Sequence, residues 1–157
     1  MTGPPGSSAR GVVRYLALLS VIAFVLHFAW EYIQCQPFFL HRTAPATAAG
    51  MLGAALGDLM LTGLVYVGVG AVARDWRWPL LPWTRRIWTV LLVLALALGV
   101  AVEWYALSEG RWSYTENAPI VPMTGLSIVP LLQLVILLPL SFGLAARLTR
   151  RRNPPGA

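Results

Sequence analysis

Three polar side chains follow one another at helical spacing near the end of the first apolar run of the sequence. His27, Glu31 and Gln34 stand at positions i, i+4 and i+7, so a helix would place an imidazole, a carboxylate and an amide on one face. Ionisable groups within a membrane-length segment are costly, and they usually face the protein interior and mark a functional site. The spacing therefore indicates a polar site inside a membrane protein.

Further polar side chains stand in the later apolar runs. Asp58 lies in the second run, Glu103 near the end of the third and Gln133 in the fourth. At a rise of about 1.5 Å per residue, all three converge with Glu31 on one depth, in the outer half of the membrane. We therefore predict one site, in which the catalytic residues are His27, Glu31, Asp58 and Glu103.

Carboxylic acids in an apolar pocket can carry out acid chemistry. Burial and a second nearby carboxylate favour the neutral acid, which can donate a proton to an apolar substrate. Aromatic faces could stabilise a developing carbocation. This chemistry fits isomerisation, hydration or cyclisation of an isoprenoid-type lipid, with Glu31 or Asp58 as general acid and Glu103 as electrostatic partner. The predicted substrate-binding residues are Trp30, Tyr32, Gln34, Tyr66, Trp104, Tyr105, Trp112, Tyr114 and Gln133.

Two other interpretations of these polar residues stay open. No cofactor is expected, but the imidazole and the three carboxylates offer nitrogen and oxygen ligands, so a divalent metal is an alternative. The polar groups could also join helices by hydrogen bonds alone. The protein would then be a non-enzymatic membrane subunit that binds lipid, an ion or a protein partner.

The composition is that of a membrane protein. Of the 157 residues, 57% are hydrophobic and 11% are charged, which is too little polar surface for a soluble globule of this size. Four apolar runs can each cross a hydrocarbon core of about 30 Å. We predict an all-α four-helix bundle in a single membrane domain, 1–157, with disordered tails at 1–11 and 150–157. The predicted spans are 12–34, 51–73, 86–106 and 122–146.

The distribution of arginine predicts the orientation of the bundle. All 12 basic residues are Arg, and the net charge is +6. They cluster before the first span, between the second and third, and after the fourth, while only Arg42 and Arg111 fall on the other side. Because positive residues favour the cytoplasmic side, both termini are predicted to be cytoplasmic in a multi-pass protein of the cell membrane.

Tryptophan alternates with arginine in the loop 74–86. Stacking on single-stranded nucleic acid would use the same residue types. Beside two membrane spans, however, Trp at headgroup level and Arg facing anionic lipid is favoured. The predicted partners are therefore the lipid bilayer and an apolar lipid substrate, with no nucleic acid and with a homo-oligomer left open.

Smaller features predict how the helices begin, end and pack. Pro37 is expected to end the first helix, and three prolines are expected to bend the fourth. Five glycines in the second span predict close approach of its backbone to neighbouring helices.

The first and third spans end alike, with Trp-Glu-Tyr at 30–32 and Glu-Trp-Tyr at 103–105. This similarity suggests that the chain consists of two repeated hairpins. Asp58 in the second span and Gln133 in the fourth would then occupy corresponding positions.

The last third of the chain resembles a known family. The segments 103–106 (Glu-Trp-Tyr-Ala) and 110–114 (Gly-Arg-Trp-Ser-Tyr), followed by prolines from 119 to 130, resemble the small membrane domains of the lycopene cyclase type. Those domains carry paired glutamates where Leu132 and Gln133 stand here. The resemblance implies the fold and a lipid-like substrate, but not the catalytic acids. More loosely, His27 and Glu31 are similar to the His-x-x-x-Glu face of sterol isomerases of the emopamil-binding class.

Overall fold

The computed structural model describes residues 9–41 and 47–151. Within these ranges lie four helices that are each long and apolar enough to cross a membrane. The predicted all-α, four-helix membrane bundle is therefore confirmed. The predictions made for Arg42 and for the tails at 1–8 and 152–157 lie outside the described residues. The helices are α1 (Ala9–Phe38), α2 (Ala48–Ala73), α3 (Arg85–Ser108) and α4 (Ile128–Arg151).

The first and last helices are longer than the predicted spans. Residues 9–11 and 150–151, predicted as parts of disordered tails, are helical. α1 also runs one residue past Pro37, which was predicted to end it. A helix satisfies its own backbone groups, so continuing it to the membrane boundary leaves fewer of them unpaired. Pro37 removes one backbone hydrogen bond from the last turn, and the helix ends one residue later.

The fourth helix begins later than predicted. Residues 119–127 form a turn in which the Val121 amide donates to the Leu126 carbonyl at 2.8 Å. Gly125 supplies a positive φ of 70° there. The Ser127 hydroxyl then accepts from the Val129 amide at 3.3 Å and caps α4. Of the three prolines expected to bend this helix, Pro122 precedes it, Pro130 lies in its first turn and Pro139 lies in its interior.

The four helices form a ring. α1 and α3 each pack against both α2 and α4. We call the end of the bundle that holds Phe38, Ala48, Ser108 and Ile128 the site end, and the other the loop end. The loop end is closed by a short 3-10 helix, Trp78–Leu80. Trp78 is 1% exposed and packs edge-on against Phe142, so it belongs to the core and not to the headgroup level predicted for this loop.

The glycines of α2 have two different environments. A side chain at Gly68 would come within 3.0 Å of Leu94, and one at Gly70 within 2.7 Å of Trp76, so close packing is right for these two. Side chains at Gly53, Gly57 and Gly63 would meet nothing within 4 Å, so the predicted close approach is wrong there. The reason is that all three lie on the exposed face of α2.

Candidate functional site

One amide side chain joins three helices at the centre of the site. Gln133 Nε2, on α4, donates to Glu31 Oε1 of α1 at 3.0 Å and to Asp58 Oδ2 of α2 at 2.6 Å, and it lies 3.2 Å from His27 Nδ1. His27 and Gln133 are 0% and 3% exposed. Because both carboxylates need a donor, the nitrogen of this amide faces them. The structure thus brings together His27, Glu31, Asp58 and Gln133.

A second amide fixes the Glu31 carboxylate. Gln34 Nε2 donates to Glu31 Oε1 at 2.8 Å and to Gln133 Oε1 at 3.0 Å, while its own oxygen accepts from Trp30 Nε1 at 2.8 Å. The Cys35 thiol lies 3.4 Å from the other oxygen of Glu31. Every one of these groups is on α1 at helical spacing except Gln133. The orientation of Glu31 is therefore set by its own helix and by α4 together.

The network provides a place for a transferable proton. The two N–H bonds of Gln133 can serve only two of the three acceptors beside its nitrogen. His27 Nδ1 also lies 3.4 Å from Asp58 Oδ2, a contact that is favourable when either atom carries a proton. His27 Nε2 is buried without a hydrogen-bond partner, so the imidazole is held through its Nδ1 side alone. Asp58 and His27 can therefore share a proton next to Glu31.

The third carboxylate, Glu103, has a separate set of partners. Its Oε1 accepts from Trp112 Nε1 at 3.1 Å and from the Tyr114 hydroxyl. Tyr114 in turn accepts from the Ser127 amide at 2.9 Å, which links the site to the start of α4. Glu103 is 3% exposed. Two donors on one oxygen orient this carboxylate and fix the place of its charge.

The end of α3 explains how Trp112 and Tyr114 reach back to Glu103. Gly110 has a φ of 62°, its amide donates to Leu107, and the Arg111 amide donates to Ala106 at 2.9 Å. This pair of bonds is a Schellman motif, which reverses the chain at a residue in the left-handed region. The chain then forms strand β2 (Trp112–Tyr114), paired antiparallel with β1 (Phe39–His41). Side chains two residues apart on a strand share a face, so both rings point at Glu103.

Members of both groups of polar residues line one cavity at the site end. Its volume is about 650 Å³, a size typical of small-molecule sites. Glu31, Asp58 and Glu103 all line it, so its wall holds one carboxylate from each of three helices. His27 lies behind Asp58 and is not part of the wall. The cavity also borders the α2 face with Gly50, Gly53 and Gly57, where the absence of side chains leaves the space open.

Several predicted substrate-binding aromatic residues lie elsewhere. Tyr32, Trp104 and Tyr105 are 59%, 67% and 52% exposed on the outside of the bundle. Each is next in sequence, or next but one, to a buried carboxylate, and such neighbours point about 100–200° away around a helix. Tyr66 packs against Trp78 at the loop end. None of these four residues lines the cavity, whereas Trp112 does and Trp30 supports Gln34.

The cavity lining includes residues that were not predicted for the site, among them Cys35, Phe39 and Arg111. Cys35 lies four residues after Glu31, so its place on the same helix face could have been read from the spacing. Phe39 and Arg111 lie in or beside the β1–β2 pair, and both line the cavity. Each strand is only three residues long, which is too short for a recognisable alternation of apolar and polar residues. The sequence therefore carries no signal that places Phe39 and Arg111 at the cavity.

A pH dependence follows from the burial of Tyr114. Burial and the hydrogen bond to Glu103 raise the pKa of Tyr114 above its usual value. Above about pH 10 the unfolded chain loses this proton while the folded chain keeps it, so the folded state loses stability as the pH rises further. We expect the thermal midpoint of Tyr114→Phe in detergent to fall less steeply than that of the wild type between pH 9 and 11. Tyr105→Phe, at an exposed ring, is the control, and parallel curves for all three proteins would contradict this assignment.

Among residues 9–41 and 47–151, no group of three or more His, Cys, Asp or Glu side chains is arranged to hold a metal ion. The metal alternative thus has no ready ligand set in this part of the chain. The function has to be argued from the site, because a fold alone does not imply a function.

No protein-family model matches the chain, and neither the curated proteins nor the solved structures contain a significant match.

Proposed function

We propose that this integral membrane protein is an enzyme that isomerises or cyclises an isoprenoid-type lipid by proton transfer. The observation that carries the proposal is the pair Glu31 and Asp58. These carboxyl groups come from different helices, both lie within 3.0 Å of the Gln133 nitrogen, and both border a cavity large enough for a lipid chain. A carboxyl group that carries a proton beside this cavity can give it to an apolar substrate.

The reaction begins with the proton held by this pair. Glu31 or Asp58 gives the proton to one carbon of a substrate double bond, so that a C–H bond forms and a carbocation remains on the neighbouring carbon. The carboxylate left behind then removes a proton from an adjacent carbon, which restores a double bond. A ring closes when the cation is first attacked by a second double bond of the same chain. Neither route needs an oxidant or a second reactant.

Glu103 acts in this scheme as a fixed negative charge. Its orientation by Trp112 and Tyr114 places the charge on the cavity wall, where it opposes the developing positive charge of the substrate. Among the described residues that line the cavity, Trp112 and Phe39 carry the aromatic rings, so aromatic stabilisation of the cation rests on these two. The resemblance to the lycopene cyclase type also supports the proposal. That resemblance depends on the segment 110–114, which supplies the hydrogen-bond partners of Glu103.

Solvent deuterium tests the proposal directly. Purified protein in lipid vesicles is incubated in D₂O with a panel of isoprenoids (squalene, a carotenoid polyene and geranylgeraniol), and the extracted lipids are examined by mass spectrometry. Because the proton comes from a carboxyl group that exchanges with solvent, the wild type is expected to place deuterium on carbon in at least one isoprenoid. A wild type that incorporates no more deuterium than empty vesicles would contradict the proposal and favour the non-enzymatic subunit.

A further inference from the structure

The cavity is elongated along α2. Its lining begins at Thr47, which caps the site end of α2, and reaches Leu61. At about 1.5 Å per residue this is a length of about 20 Å, with Asp58 about 15 Å from the start of the helix. A ligand that fills such a cavity is long and narrow, with one end at the membrane surface and the other within the bilayer.

The long wall of the cavity is open beside α2. At Gly53 and Gly57 a side chain would meet nothing within 4 Å, whereas at Gly68, nearer the loop end, it would meet Leu94 of α3 at 3.0 Å. α2 and α3 are thus in contact towards the loop end and apart beside the cavity. Gly53 and Gly57 are both exposed. In a bilayer this opening faces lipid chains, so a lipid can enter from the side.

The mouth of the cavity carries a positive charge. Arg111 lines it beside Trp112, and its guanidinium lies 5.7 Å from the centre of the Tyr105 ring. Among the described residues the ion pairs are those of His27 with Asp58 and of Arg77 with Asp75, so Arg111 is not neutralised by a carboxylate of the site. Of the carboxylates that line the cavity, Glu103 is the closest to Arg111 in sequence, and it already accepts from Trp112 and Tyr114. A guanidinium in this position is suited to a carboxylate or phosphate group, which it can bind through two hydrogen bonds.

We propose that the lipid bound in this cavity has an anionic headgroup that pairs with Arg111, while its isoprenoid chain lies along the glycine face of α2. This inference rests on the proposed function and makes its substrate class narrower. The headgroup fixes the depth of the chain, so that a double bond at the level of Asp58, about 15 Å from the site end of α2, lies beside that carboxyl group. The chemistry at Arg111 is the same for a phosphate and a carboxylate, and the test separates them.

Three probes with the same chain carry the test: geranylgeranyl phosphate, geranylgeranoic acid and geranylgeraniol. Their apparent Kd values are measured by native mass spectrometry of the purified protein. We expect at least one anionic probe to bind about tenfold more tightly than the alcohol, because a charged hydrogen-bonded pair forms with Arg111. Arg111→Gln is expected to abolish this difference, and Arg85→Gln, at an exposed arginine of the loop end, is expected to keep it.

A pair of glycine variants separates the inference from the proposed function. Gly57→Leu fills the cavity, whereas Gly63→Leu adds the same side chain on the same helix outside it, and neither position has a neighbour within 4 Å to clash with. One outcome would overturn the inference and leave the proposed function intact. In that outcome Gly57→Leu, but not Gly63→Leu, binds all three probes more weakly, and the anionic probes bind no more tightly than the alcohol. If Gly57→Leu and Gly63→Leu bind the probes equally well, the inference and the proposed function are both overturned. If geranylgeranyl phosphate binds more tightly than geranylgeraniol and geranylgeranoic acid does not, the result supports the inference and identifies the headgroup as a phosphate.

Discussion

Replacing Gln133 with leucine is expected to lower the free energy of unfolding in detergent by about 3 kcal/mol. A hydrogen bond between membrane helices is usually worth about 1 kcal/mol or less. The larger loss is expected because leucine removes the donor that Glu31 and Asp58 share, and with it the contact to His27. Unfolding of the purified protein in mixed micelles, followed by circular dichroism, measures the change.

The matched control is Gln36→Leu, the same substitution at an exposed position of α1. It is expected to change the unfolding free energy by less than about 0.5 kcal/mol. A second comparison isolates the charges. In a background of Glu31→Gln and Asp58→Asn, the Gln133→Leu change should cost only about 1 kcal/mol, because no buried carboxylate is left without a donor. An equal cost in both backgrounds would show that the loss comes from packing and not from the carboxylates.

Replacing Asp58 with asparagine is expected to slow deuterium incorporation into the isoprenoid by about 100-fold or more. An amide can still accept the hydrogen bond from Gln133, so the bundle should keep its structure. It cannot donate an acidic proton, and it ends the proton sharing between Asp58 and His27. The rate of deuterium incorporation per protein, with the thermal midpoint measured beside it, separates the loss of chemistry from a loss of folding.

Asp75→Asn provides the control for this variant. Asp75 lies at the loop end, where hydrogen bonds from Arg77 hold the pKa of its carboxyl below the usual range. Removing its charge is expected to leave the rate of deuterium incorporation unchanged, because the residue is far from the cavity along the helices. A rate reduced equally in Asp58→Asn and Asp75→Asn would point to a general effect of lost charge, and the assignment of Asp58 as a proton donor would then be wrong.

The four-helix bundle and the centre of the site follow from simple rules applied to the sequence. Four apolar runs of membrane length can only be spanning helices, since every backbone group must be satisfied within the bilayer. Helical spacing placed His27, Glu31 and Gln34 on one face, and the rise per residue put Asp58 and Gln133 at the same level. These five side chains do form one network.

The remaining parts of the site depend on tertiary structure. Tyr32, Trp104 and Tyr105 were predicted to bind substrate because they are close in sequence to buried carboxylates. Adjacent residues on a helix, however, point in different directions. The glycines of α2 predicted contact, but whether a small residue allows close packing or leaves a cavity depends on where the next helix lies. Arg111 came to the cavity through a turn and a three-residue strand, and such short elements carry no periodic pattern.

The two resembling halves of the chain also differ in detail. Asp58 and Gln133, the predicted counterparts, meet directly at 2.6 Å. Glu31 and Glu103 do not have matching environments, since the first is held by two amides and the second by an indole and a phenol. The repeat of two hairpins therefore stays a prediction, while the unequal surroundings of the two glutamates fit the different roles we propose for them.

The most direct test of the central claim is native mass spectrometry with lipid extraction, applied to the purified wild type beside Glu31→Gln and Asp58→Asn. If the cavity is a substrate site, an isoprenoid-type lipid co-purifies with the wild type, and the carboxylate variants lose it or hold it in a chemically different form. Bulk phospholipid alone, identical in all three proteins, would contradict the account. The polar network would then join helices and do no chemistry.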